Sequence, residues 1–170
     1  TFTNKAAQEM SERAVSLLGK RHKARPFIST FHALCVNILR REIEAIGFPK
    51  DFAIYDRSDQ ESVARSALRD VNAPTAALRP SDLLYRISRW KMEGKRAEFV
   101  ADAIEEERDE MAAAGYRRYE KSLRAAGALD FDDLIGRTVA MLATHKELRE
   151  KWSEQFKYVM IDEYQDTNNA

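Results

Sequence analysis

Apolar residues recur at helical spacing over most of this chain, and the repeats break at glycines, prolines and capping residues. Asn4 is placed to cap a helix running to about Leu18, and Gly19 suits the left-handed position just beyond its end. After a basic connector ending at Pro26, Phe27, Ile28 and Ser29 form a short strand candidate. Thr30 then caps a helix whose Phe31, Leu34, Cys35, Ile38, Leu39, Ile43 and Ile46 share one face, with Gly47 and Pro49 ending it.

From there to about position 153 the pattern stays helical, rich in alanine, leucine, arginine and glutamate. Ser58 with Glu61 reads as a capping box ahead of Val63, Ala64, Ala67, Leu68 and Val71. Beyond the connector at 74–80, Ser81 or Asp82 opens a helix carrying Leu83, Leu84, Ile87 and Trp90, closed by Gly94. The stretch 97–126 is too long and charged for one ordinary helix, so a break is expected near 105–109. Asp130 with Asp133 caps the next helix, which bears Phe131, Leu134, Ile135, Val139 and Leu142. A last helix precedes Trp152 and Phe156.

At Lys157 the pattern changes. Tyr158, Val159, Met160 and Ile161 form a continuous apolar run of strand formers, the signature of a strand buried on both faces. Strand-like pieces thus sit at the two ends with helices between. The fold this predicts is mostly α, a helical subdomain at 47–152 inserted into a partial α/β domain made of 1–46 and 153–170. The segments at 27–29 and 158–161 are the expected parallel remnant of its sheet.

Composition narrows the class. Lysine plus arginine and aspartate plus glutamate each number 28 in 170 residues, so the chain has no net field for nucleic acid and any such contact must be local. Cys35 is the single cysteine; it excludes an internal disulfide and reads as a buried core thiol. No apolar run is long enough to cross a bilayer and no secretory pattern opens the chain, so the expectation is a soluble, cytoplasmic, monomeric protein without a membrane partner. Without an initiator methionine, and with Thr1 to Asn4 reading as the end of a strand entering a helix, the chain is expected to be a segment of a longer protein.

Four stretches could carry chemistry. An apolar strand that ends in carboxylates can deliver them to magnesium and phosphates, which places Asp162 for the cation and Glu163 for polarising a water. With Asp166, they also read as a solvated acidic turn. Phe2, Thr3 and Asn4 cluster at a strand-to-helix junction, where free amides can meet a phosphate and a ring can meet a base; taken alone, a core Phe2 and a capping Asn4 are the plainer account. Thr30, Phe31 and His32 repeat that arrangement, and a capped helix with a buried Phe31 is the plainer account. Arg86, Arg89, Lys91, Lys95 and Arg96 surround Trp90 and could meet a DNA backbone, or form the solvated face of a helix with Trp90 in the core. Asp130, Asp132 and Asp133 invite a metal site, but capping explains Asp130 and Asp133 more simply and no metal is assigned there.

In this order the segments resemble UvrD/Rep/PcrA-type superfamily 1 helicases over essentially the whole chain. TFTNKAAQEM at 1–10 is similar to motif Ia, ISTFHALCVNILRR at 28–41 to motif Ib, and ALDFDDLI at 128–135 to the segment after the helical insertion. VMIDEYQDTN at 159–168 resembles motif II, the Walker B box. The resemblance implies a RecA-like domain 1A interrupted by a helical domain 1B. It implies an ATP-dependent motor that translocates on single-stranded DNA, usually 3'-to-5', and unwinds duplex. ATP and Mg2+ are then the cofactors, both DNA forms are partners, and repair or replication proteins are a further partner class.

By position, the resemblance makes Asp162 the magnesium ligand and Glu163 the activator of water, with Gln165 and Asp166 linking the nucleotide site to neighbouring motifs. Phe2, Thr3, Asn4, Thr30, Phe31 and His32 would line the single-strand path. The sequence contains no phosphate loop of the form G-x-x-x-x-G-K-S/T, and in the family that loop precedes motif Ia while the arginine finger follows motif II. This segment alone is therefore expected to be inactive as an ATPase and helicase. Two rivals remain: a non-catalytic helical DNA-binding or docking module, and the motor segment of a helicase-nuclease.

Overall fold

The computed structural model describes residues 1–19, 25–74, 77–100 and 107–166. Its helices are α1 (Asn4–Leu18), α2 (Phe31–Glu42), α3 (Arg57–Asp70), α4 (Pro80–Met92), α5 (Glu107–Ala125), α6 (Phe131–Thr144) and α7 (Lys146–Gln155). Single 3-10 turns lie at Ile43–Ile46 and Tyr164–Asp166, and β1 (Ala53–Ile54) pairs with β2 (Ala128–Leu129).

Capping residues fix where these helices start. Thr3, not Asn4, caps α1: its extended backbone lets the hydroxyl accept from the Ala6 amide, and Asn4 is the first helical residue. The box ahead of α3 is likewise Asp56 with Asp59 rather than Ser58 with Glu61. Pro80 takes the first position of α4, before the expected Ser81 or Asp82; its missing N–H costs nothing there. Asp82 reaches back to the Arg79 amide and guanidinium, but Arg79 has no acceptor to return. Asp130 and Asp133 form the reciprocal box of α6 as read from the sequence. The break expected at 105–109 falls partly outside the described residues; from Glu107 onward the chain is helical.

Two apolar clusters form the core. In the first, α3, α4 and α5 close around Leu68, Leu83, Ile87, Tyr119 and Leu123, with Trp90 stacked on Tyr116. Gly115 permits that closeness, since a Cβ there would stand 3.1 Å from Leu83 Cδ2. In the second, α2, α6 and α7 enclose Cys35, Leu39, Leu134, Met141 and Trp152 with Phe48 and Phe52. The short parallel pair joins the two, with Ala53 opposite Ala128 and Ile54 opposite Leu129. Successive strand residues face opposite ways, and the fully buried Ala128 and Leu129 accordingly belong to different clusters.

The sheet is not the one expected. Residues 27–29 form no strand, and residues 158–161 are an unpaired stretch. Tyr158 and Met160 are 92% and 94% exposed, so the run is not buried on both faces. A row of strand formers states a preference, and only a ladder partner converts it into a sheet. None of the described residues supplies one. The parallel pairing occurs instead between β1 and β2, inside the stretch read as wholly helical.

Candidate nucleic-acid interface

The three candidate segments converge in space. The Thr1 nitrogen donates to the Ser29 carbonyl oxygen at 3.3 Å, laying the entry to α1 beside the entry to α2. Both helices begin on a capping threonine, since Thr30 accepts from the Ala33 amide at 3.2 Å as Thr3 does from Ala6. Two helix N-termini, each a local concentration of free amides and positive dipole, therefore lie side by side. Phe2 meets Phe31 edge to face with centroids 5.4 Å apart, and Phe2 remains 44% exposed.

His32, exposed on the first turn of α2, meets Phe131 edge to face at 5.7 Å. Phe131 opens α6 and is half exposed. In the sequence Phe131 belongs to an apolar helical face, and its solvent exposure is the signal that periodicity does not carry. The result is a short surface of two aromatic pairs, Phe2 with Phe31 and His32 with Phe131. Phe31 is half-buried rather than fully buried.

Asp162 closes one side, accepting from the Thr1 hydroxyl at 3.5 Å. Glu163 follows with φ at +53°, a left-handed backbone that a non-glycine residue seldom adopts. The Gln165 side-chain amide donates to the Glu163 carboxylate, and Gln165 and Asp166 belong to the terminal 3-10 turn. Asp162, Glu163 and Gln165 are all exposed. Thr167 and Asn168 of the motif string lie outside the described residues.

The basic stretch around Trp90 behaves differently. Trp90 is buried, Arg86 pairs with Asp109, and Arg89 and Lys95 pair with Glu93. These cations have carboxylate partners within the protein.

Lys91 is turned inward, its side chain 8% exposed. Its ammonium stands 2.7 Å from Glu120, 2.8 Å from Asp130 and 3.0 Å from Asp133, while Arg137 reaches Glu120 at 2.9 Å and Asp133 at 3.1 Å. Glu120, Asp130 and Asp133 form a group of oxygens spaced to hold a cation, and the ammonium supplies that charge. Desolvation works against the Lys91 charge, yet Asp133, Asp130 and Glu120 hold its pKa well above the usual lysine range. Burial pushes the Asp133 carboxyl up to about 6 against the pull of Lys91. Burial also pushes up the Tyr119 hydroxyl, which donates to Asp130 at 3.0 Å, and the Cys35 thiol, which is thereby a poor nucleophile.

A family model of the UvrD/REP helicase N-terminal domain matches residues 1–170, the whole chain. The chain belongs to the UvrD/REP helicase family. It is 42% identical over 175 residues to ATP-dependent DNA helicase UvrD1 of Mycobacterium tuberculosis, covering all of this chain and 22% of that protein. It is 41% identical over 173 residues to ATP-dependent DNA helicase PcrA of Staphylococcus aureus and 39% over 170 residues to that of Leuconostoc citreum; each alignment covers all of this chain and 23% of the relative. The UvrD/REP-type chain thus spans less than a quarter of the length of these curated relatives. Among its described residues no helix is long and apolar enough to cross a membrane.

Proposed function

We propose that this chain is the DNA-facing part of an ATP-dependent DNA helicase motor that translocates 3'-to-5' on single-stranded DNA and unwinds duplex. The observation that carries the reading is the meeting of Phe2 with Phe31 and of His32 with Phe131 at adjoining helix starts. Ring faces stack on bases without regard to sequence, as a motor stepping along a strand requires. Amides at the starts of α1 and α2, next to Thr3, Asn4 and Thr30, would receive the phosphates. Its relatives' names support the same activity class.

For ATP hydrolysis the donor chemistry fits magnesium. Asp162 is an exposed carboxylate of the hard oxygen type that this ion prefers, and it would hold the ion. When bound, magnesium neutralises charge on the phosphates. Glu163 would accept the proton of the attacking water, and Gln165, already donating to that carboxylate, would orient it. Asp166 would help tie this turn to the nucleotide site. The left-handed backbone at Glu163 is the kind of strain that functional positions retain.

The organisation that goes with this function is a RecA-like part at 1–46 and 153–170 and an inserted helical part at 47–152. The second core cluster spans that division, with Cys35 and Leu39 packed with Leu134 and Trp152. Helix α2, which carries Phe31 and His32 at its start, and the helical part therefore share common packing. A cytoplasmic, monomeric state and repair or replication proteins as partners complete the reading.

Photocrosslinking with oligothymidylate carrying 4-thiothymine tests the interface. Adducts on peptides containing Phe2, Phe31, His32 or Phe131 are expected, and adducts confined to the α4 surface would contradict it. The chain alone is expected to hydrolyse ATP negligibly. DNA-stimulated hydrolysis that Glu163→Gln abolishes would contradict that expectation.

A further inference from the structure

We propose that Lys91 is a positioning residue for the single-strand surface, acting through Asp130 to set where Phe131 stands against His32. The inference rests on the DNA-path reading above and extends it into the core of the helical part. Asp130 is held from three elements at once. Its Oδ1 caps α6 by accepting from the Asp133 amide at 2.9 Å, and its Oδ2 accepts from Lys91 of α4 at 2.8 Å and from Tyr119 of α5 at 3.0 Å.

Capping alone needs only the first of these bonds, so the cap does not explain Lys91. Three carboxylates, from α5 and from the cap and first turn of α6, converge within 4.8 Å of one another. Without a cation among them their repulsion would drive the start of α6 away from α5. Arg137 meets Glu120 and Asp133, so among the described residues Lys91 is the cation paired with Asp130. Phe131 is covalently the next residue, and its ring is one half of the pair with His32. A charge buried on α4 thereby fixes an aromatic exposed at the DNA surface.

The readout is the NMR shift of the His32 ring protons in the full chain, which the neighbouring Phe131 ring displaces; Phe131→Leu provides the reference without that ring. The test variant is Lys91→Met combined with Asp133→Asn, which leaves the cluster's net charge unchanged while removing the cation on Asp130. The His32 shifts should move toward the Phe131→Leu values, and oligothymidylate affinity should fall about five-fold or more. Lys91→Arg should restore both.

Asp130→Asn keeps a competent cap but weakens the attraction to Lys91, and should move the same shifts if the double variant fails to fold. Unmoved His32 shifts in either folded variant would overturn the proposal. Shifts that move as expected in a chain whose wild type does not bind oligothymidylate would instead retain the positioning role and defeat the DNA reading.

Discussion

Phe2, just ahead of α1, and Phe31, the first residue of α2, meet edge to face with ring centroids 5.4 Å apart, and Phe2 keeps nearly half of its surface in solvent. A phenylalanine needed only for the core would be drawn inward. A ring in an edge-to-face pair that stays this exposed is available for stacking. Phe2→Ala should weaken single-strand binding by about 1–3 kcal/mol. Helical circular dichroism should be unchanged, because α1 buries only Ala7. A matched loss of helicity would show Phe2 to be structural instead.

Lys91 alone should be costly to remove. Lys91→Met leaves Glu120, Asp130 and Asp133 facing one guanidinium in a buried site, and breaking such a cluster from one side costs about 3–5 kcal/mol. Urea unfolding should report that loss. A loss below about 1 kcal/mol, the range of an exposed pair, would mean that water reaches the site.

The same cluster predicts a pH dependence with a definite sign. Asp133 has a folded-state pKa of about 6 against an ordinary 3.8, so between those values the folded chain holds a proton that the unfolded chain has released. This contribution is fully present below the lower value and is lost as pH rises through the upper one. Relative to Asp133→Asn, wild type should therefore gain stability as pH falls from about 6 toward 3.8. The difference in unfolding midpoint between the two proteins checks it. A difference that moves the other way would mean that Lys91 lowers the Asp133 pKa more than burial raises it.

Thr30 carries a smaller and separable load. Its hydroxyl caps α2 at the edge of the proposed DNA surface, so Thr30→Ala should cost about 0.5–2 kcal/mol in unfolding, while Thr30→Ser should cost little. Equal losses from both would point to the methyl group and its packing.

What could be read in advance was local chemistry. The Asp130 and Asp133 box, the burial of Cys35 and the inward face bearing Trp90 are each specified within a turn or two of helix. Asn4 was an equally good cap by type, and only the extended backbone at Thr3 decides between them. Pairing across distance was not readable. β1 and β2 are two residues each, too short for any periodicity, and residues 158–161 have the composition of a strand without a partner among the described residues. Lys91 looked like one cation among several on α4, because the carboxylates it meets lie on α5 and α6. Among the DNA-facing candidates Phe131 was missed for a related reason: its partner His32 lies on α2.

The starts of α1 and α2 are proposed to form one single-strand surface. Its most direct test is fluorescence anisotropy of labelled oligothymidylate titrated with the chain, Phe2→Ala and His32→Ala at one low salt concentration. Wild type should bind, and each variant should bind more weakly with unchanged circular dichroism. Absence of binding by wild type, or equal binding by all three proteins, would contradict the account.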